Sequence, residues 1–470
     1  MSKIDSAVRV RAAAMSSDGR HFQFAGTSES LFEPGVLVLL HAPDEAARLG
    51  QVEEVSYTMG GAPQGSGRIL GLVGDDGRLD VRKSVAFASA VLEPADARTA
   101  EILYGNAAVT LPIGSFLASD DIPARLFAHR FNRHTFWCGQ SGSGKTYALG
   151  VLLEQLLIHT ALPMVIFDPN ADFVQIRQPH PTGEFSDAQR VLAERDIRIL
   201  RPTAAVPDAL RVKFVDLSLR AKAAVFSLDP LDDRAEHNEL MHIEDTVGLA
   251  DLPHMAARLR ERGTPAAHDL AARAENLRVT DWGVWAQGLE PVTEILDARP
   301  DATILDLGGF AYPEESLVVA LAVLDDLWHK REQRRPMLIV IDEAHNFCSP
   351  DQHSPLQVAV RERIVQIAAE GRKFGLWLLL STQRPSRVHP SIMSQCDNLA
   401  LMKMTSPADL DELGTIFGFV PPAMLARAAR FTQGEALFAG GFVPAPTMVR
   451  MGPRLTREGG ADVSVPLRTA

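Results

Sequence analysis

The sequence predicts an α/β protein with a strand-rich amino-terminal domain and a largely helical excursion inside the α/β region. Three observations carry this. A glycine-rich loop, Gly139-Gln140-Ser141-Gly142-Ser143-Gly144-Lys145-Thr146, stands between a short apolar strand and a run of helical periodicity. A second apolar strand far downstream, at 337–341, ends in Asp342-Glu343. Short apolar runs divided by turn signals fill 19–115, before either of them.

With 470 residues the chain has room for two or three domains. Charged residues make up 23% and hydrophobic residues 46%, which fits a globular protein with a large core. The net charge of −12 excludes a uniformly basic coat for nucleic acid, but not a local basic channel. Three scattered cysteines, Cys138, Cys348 and Cys396, form neither a zinc pattern nor a disulfide framework, so a reducing, cytoplasmic setting is expected. No apolar run is long enough to span a bilayer and no signal-peptide pattern is present, so any membrane role is expected to run through a partner.

Residues 1–18 are small, polar and mixed in charge, and read as a flexible arm or a first edge strand. The runs 21–24, 36–40, 52–57, 68–73 and 85–91 read as strands, with turns at Gly60-Gly61 and Asp76-Gly77. Their spacing predicts a small β-barrel or sandwich over 19–115. It lacks interleaved aromatic and basic residues, so assembly is its expected role rather than nucleic-acid binding. The α/β region is expected over 116–450. In the approach to it, 124–131 reads as a short helix, and Arg133-His134 leads into the strand before the glycine-rich loop.

Strand, glycine-rich loop and helix in that order are what a Walker A motif requires. Glycine lets successive backbone N–H groups converge on phosphate oxygens, and the helix start adds positive potential. Lys145 is placed to reach the β- and γ-phosphates of ATP, and Thr146 to offer its hydroxyl to Mg²⁺. The next strand, 163–167, ends in Asp168-Pro169-Asn170. There Asp168 is placed to orient water or meet nucleic acid, with a plain turn as the alternative.

The stretch 176–300 reads as a helical excursion, with helices at 236–250, 252–262 and 266–273 and short strands near Ile199 and Lys213. A strand at 302–307 and a helix at 316–331 resume the α/β pattern. The 337–341 strand then brings Asp342 for the Mg²⁺ shell and Glu343 as general base, a Walker B pattern. A helix over 354–370 leads to Arg372 and Lys373, and the strand 376–380 leads to Gln383, placed to sense the γ-phosphate. Arg372 lies at the other end of that strand and suits a finger into a neighbour's site, with Lys373, Arg384 and Arg363 as alternatives. A helix at 391–399, a strand at 401–404, helices at 409–417 and 422–430 and a hairpin over 434–442 follow. The tail 451–470 reads as disordered or as reaching to another subunit.

Taken together, the loop, Asp342-Glu343, Glu370-Gly371-Arg372-Lys373 and Thr382-Gln383-Arg384-Pro385-Ser386 resemble the HerA family of the HerA/FtsK superfamily. Further matches are Arg133-His134, Asp168-Pro169-Asn170, Ile304-Leu305-Asp306-Leu307 and Ser394-Gln395-Cys396. The resemblance implies a RecA-like core behind a small amino-terminal β-barrel, a homo-hexameric ring and double-stranded DNA in its pore. It also implies Lys145, Glu343, Gln383 and Arg372 as catalytic residues, and Thr146 and Asp342 on metal. A NurA-type nuclease or another effector is the implied partner, in DNA end processing, repair or phage defence. Two other functions use the same motifs: a coupling ATPase for conjugation or secretion, and a non-catalytic nucleotide-binding assembly protein. Asp342-Glu343-Ala344-His345 also spells the box of superfamily 2 RNA helicases, but the chain after 386 is too short for the second domain they need.

Overall fold

A computed structural model of the full chain describes residues 12–26, 32–43, 45–57, 62–74, 76–82, 84–105, 107–181, 186–243 and 252–460. The Gly60-Gly61 turn, the end of the 236–250 helix, 1–11 of the arm and 461–470 of the tail lie outside these. The chain divides into two units. One holds Met1–Arg130, Cys138–Gln155 and Asp397–Pro453; the other holds Phe131–Trp137, Leu156–Cys396 and Arg454–Ala470.

The first unit contains the strand-rich domain. Strands β1 (Ala12–Ser16), β2 (His21–Ala25), β3 (Leu37–His41), β4 (Arg48–Ser56), β5 (Gln64–Val73), β6 (Leu79–Asp80) and β7 (Phe87–Pro94) run in the order β2-β1-β7-β3-β4-β5-β6. A further β2–β5 pairing, His21 opposite Arg68, closes six of them into an antiparallel barrel, with β6 as an appendage on β5. Closure removes the open edges that would otherwise invite pairing with other chains. Alternate residues point inward, and Phe22, Phe24, Phe32, Val38, Leu40, Val52 and Leu92 form the core. Gly67 is dictated by close approach, because a Cβ there would lie 2.2 Å from the Gln51 carbonyl and 2.3 Å from the Phe22 ring. β1 falls inside the stretch 1–18 and pairs on both sides, with β2 and β7. The stretch therefore holds a first strand, one of its two readings, but inside the sheet rather than at an edge, with only the small Ala12, Ala14 and Ser16 facing inward.

The same unit holds a five-stranded antiparallel run, β16-β17-β18-β8-β9, built from β8 (Thr110–Phe116), β9 (Ser119–Phe127), β16 (Cys396–Met402), β17 (Glu435–Gly440) and β18 (Thr447–Met451). The helix expected over 124–131 is therefore strand as far as Phe127, followed by a 3-10 turn at Ala128–Asn132. Ile122, Ala124 and Leu126 are buried at period two, which the sequence hides behind Pro123 and the small Ala124. Likewise the helix expected over 391–399 is one turn, Pro390–Met393, and β16 starts at Cys396.

The second unit is a parallel α/β sheet. Strands β10 (His134–Cys138), β11 (Met164–Asp168), β12 (Ile197–Leu200), β13 (Ala302–Asp306), β14 (Met337–Ile341) and β15 (Leu376–Thr382) run in the order β12-β13-β11-β14-β15-β10. Every residue of β11 and β14 is buried, as a parallel sheet covered on both faces demands. Helices Pro313–His329 and Pro355–Glu370 accompany the sheet. Ser354 opens the second with a capping box to Gln357 and proline in the first turn, a feature worth about 1 kcal/mol. The regular structure described within 176–300 is chiefly helical: Asp187–Ala193, Leu219–Val225, Arg234–Met241, Met255–Glu261, Pro265–Asn276 and Val292–Asp297. The strand expected near Lys213 is a single bridge, Val212 to Trp285. Buried Glu315 accepts from the N–H groups of Val284 and Tyr312 and so ties this excursion to the helix at Pro313–His329. The fold is thus a barrel followed by a mixed α/β, RecA-like core with helical insertions.

Candidate functional site

In the first unit the glycine-rich loop turns on Gly142 and Gly144, whose φ values of 76° and 86° lie in the left-handed region. Gly139 is required for packing, because a Cβ there would come within 2.7 Å of Met402 Cβ. The Ser143 N–H donates to the Gln140 carbonyl at 3.2 Å and closes the turn. Two neighbours brace the loop. The Gln140 N–H donates to the Lys403 carbonyl at 2.9 Å, and the Gly434 N–H to the Ser143 carbonyl at 3.0 Å. Gln140 Oε1 accepts from both the N–H and the hydroxyl of Thr405, at 3.0 and 2.8 Å. Lys145 opens the helix Lys145–His159 and is largely buried, with Thr146 half-buried beside it. Ser141 lies exposed at the tip. Thr405 and Gly434 gave no sequence signal, since both act through chain folding back on the loop.

In the second unit the expected carboxylates line one edge of the parallel sheet. Phe167 pairs with Ile341, and Ile341 with Leu380, so Asp168, Asp342 and Ser381 follow at the carboxyl ends of adjacent strands. Asp342 is fully buried, and Ser381 Oγ donates to its Oδ1 at 2.6 Å. A carboxylate oriented in this way suits a hard oxygen-seeking cation such as Mg²⁺. Glu343 is buried with φ of 45°, a left-handed geometry that is strained for a residue with a side chain. The turn is held by the Ala344 N–H on the Ser381 carbonyl, 2.8 Å, and the Asn346 N–H on the Glu343 carbonyl, 2.8 Å. Gln383 follows β15 at this same edge and is half-buried.

Asp168 serves the loop behind it. Its carboxylate accepts the Asp172 and Phe173 N–H groups at 2.9 and 2.8 Å. Burial pushes its pKa up to about 7 against those donors, with Asp172 and Asp342 adding repulsion. Its observed partners thus favour the strand-ending turn among the roles considered. His134 is also a core residue. Its Nδ1 accepts the Leu378 N–H at 2.9 Å. Burial first, then the Arg372 charge, lower its pKa to about 4.

Arg372 lies in the 3-10 turn Gly371–Phe374 ahead of β15, at the end of the sheet opposite Asp342 and Glu343. Of the alternative fingers, Arg363 is committed to Asp325 at 2.6 Å and to Gln366. Lys373 and Arg384 are exposed. Among the described residues no cluster of three or more His, Cys, Asp or Glu forms a metal site by itself, and no helix is long and apolar enough to cross a membrane.

The model of the HerA helicase central domain matches residues 111–325, from β8 through most of the Pro313–His329 helix. The probable helicase MJ1565 of Methanocaldococcus jannaschii is 22% identical over 418 residues, covering 85% of this chain and 78% of that one. The DNA double-strand break repair helicase HerA of Pyrococcus furiosus is 21% identical over 451 residues, covering 86% and 78%. Among solved structures, the bacterial conjugative coupling protein TrwBdeltaN70 aligns with a TM-score of 0.50 at 13% identity, covering 76% of this chain and 92% of that one, a likeness of fold alone. The chain belongs to the HerA/FtsK-like superfamily of DNA-translocating P-loop ATPases, and its role is that of an ATP-hydrolysing enzyme.

Proposed function

We propose that the chain works as a homo-hexameric motor that couples ATP hydrolysis to movement of double-stranded DNA, in end processing, repair or phage defence. The observation that carries this is the buried Asp342-Glu343 pair at the carboxyl end of β14, in a chain that also has a complete glycine-rich loop. Superfamily membership and the helicase descriptions of the two relatives support the DNA-moving part.

In this reading the backbone of 139–146 and Lys145 hold the triphosphate, with Thr146 and Asp342 holding Mg²⁺. The cation, when bound, offsets charge on the phosphate oxygens. Glu343 takes a proton from the attacking water, and Gln383 orients that water and reports on the γ-phosphate. Arg372 supplies positive charge to the transition state in the neighbouring subunit. The barrel serves ring assembly, and a NurA-type nuclease or another effector is the cytoplasmic partner.

ATPase assays with and without duplex DNA test the reading. Lys145→Ala should abolish tight ATP binding. Glu343→Gln should still bind ATP while turnover falls about a hundredfold or more. ATP affinity unchanged by Lys145→Ala, or normal turnover in Glu343→Gln, removes those roles. Turnover in assembled rings that ignores duplex DNA removes the motor.

A further inference from the structure

We propose that His345 is a positioning residue that holds the Glu343 carboxylate and couples it to the turn carrying Gln383. The inference rests on the reading of Glu343 as the general base. His345 opens the short helix His345–Cys348, two residues after Glu343. Its Nδ1 stands 3.3 Å from Glu343 Oε2 and 3.1 Å from Thr382 Oγ1. The three side chains are mostly buried, with the His345 side chain 15% and the Glu343 side chain 8% exposed. Thr382 Oγ1 also accepts the Arg384 N–H at 3.0 Å, so this hydroxyl fixes the turn on which Gln383 sits.

One ring nitrogen therefore faces two oxygens. When Nδ1 carries hydrogen it donates to the Glu343 carboxylate or to Thr382 Oγ1. When Nδ1 is bare it accepts the Thr382 hydroxyl hydrogen and no longer donates to the carboxylate. The position of Glu343 thus depends on what the 382–384 turn does. Glu343 stands on a left-handed backbone turn with φ of 45°, two residues before the ring it meets.

The test is steady-state ATPase on the full chain with duplex DNA, using His345→Ala, His345→Asn, Thr382→Val and the double His345→Ala/Thr382→Val. His345→Ala should lower kcat about tenfold or more with KM for ATP unchanged, since a misplaced base costs turnover and not binding. His345→Asn, whose amide can occupy the Nδ1 position, should recover most of it. The double variant should be no slower than His345→Ala, because both changes cut one link. Full kcat in His345→Ala, a loss confined to KM, or multiplying effects in the double variant would overturn the proposal. Should His345→Ala melt early, His345→Asn and Thr382→Val decide: a kcat loss in Thr382→Val with His345→Asn active supports the link, and full kcat in Thr382→Val overturns it. Glu343→Gln run alongside separates the two readings. Normal turnover there removes the base itself, whereas an inactive Glu343→Gln beside a fully active His345→Ala removes only the role of His345.

Discussion

Among single side chains, His134 has the most direct pH consequence. It is buried and neutral, with a pKa near 4 where a free imidazole has 6.5. A depressed folded pKa means that its contribution to stability is complete above 6.5 and is lost as pH falls through that value toward 4. The span corresponds to roughly 3 kcal/mol. His134→Asn keeps an acceptor for the Leu378 N–H but cannot titrate in that range. It should therefore be less stable than the parent at pH 7.5, yet lose less stability between pH 7 and 5. Urea denaturation at both pH values measures this, and parallel pH slopes in the two proteins would refute it. The residue scale also shows what the sequence could reveal. Lys145, Asp342 and Glu343 stood out because their chemistry needs fixed neighbours in sequence. Thr405 and Gly434 did not, because their partners lie far away along the chain or act through backbone atoms.

At the scale of elements, the described part of the carboxyl-terminal segment has a defined place. The tail reads as disordered or as a reach to another subunit, but its described part packs on its own chain. Arg454 is buried with its guanidinium 5.8 Å from the Phe173 ring centre. The His180 N–H donates to the Leu455 carbonyl, the Arg457 N–H to the Gln178 carbonyl and the Gly459 N–H to the Asp172 carbonyl, at 2.8, 2.8 and 3.0 Å. The segment thus covers the loop whose start is pinned by Asp168. Gly459 has no room for a side chain, since a Cβ would meet the Ala171 carbonyl at 2.1 Å. Gly459→Val should lift the segment at a cost of about 1–3 kcal/mol and speed amide exchange of Phe173, Ile176 and Gln178. Unchanged exchange there would mean that the segment does not brace the loop. Elements with a single unmixed pattern were legible, such as the Met337–Ile341 run and the helix Pro355–Glu370 with its cap. Those that were not, β9 and the start of β16, have a small inward residue, a proline, or burial on both faces. Their apolar pattern therefore fits helix and strand equally.

For the whole molecule, the question is whether a lone chain can complete its own chemistry. Arg372 precedes β15, while Asp342 and Glu343 lie at the far edge, level with the end of that strand. Seven residues of strand separate the two edges by roughly 20 Å, well beyond the reach of an arginine side chain. If Arg372 acts on a transition state, it should therefore do so in the next copy around a ring. Rings of Arg372→Ala alone lack every finger, and rings of Glu343→Gln alone lack every base. When the two proteins are mixed in equal amounts, an Arg372→Ala subunit keeps its base and receives a finger wherever its neighbour is Glu343→Gln. Random assembly makes about a quarter of interfaces complete, so ATPase activity should rise toward that fraction of the parent if interfaces act independently. A finger acting within its own chain predicts no recovery at any ratio, because no subunit then holds both groups. Activity measured across mixing ratios, with subunit exchange verified by mass, distinguishes the two: a maximum near equal amounts supports action between copies, and a flat baseline refutes it.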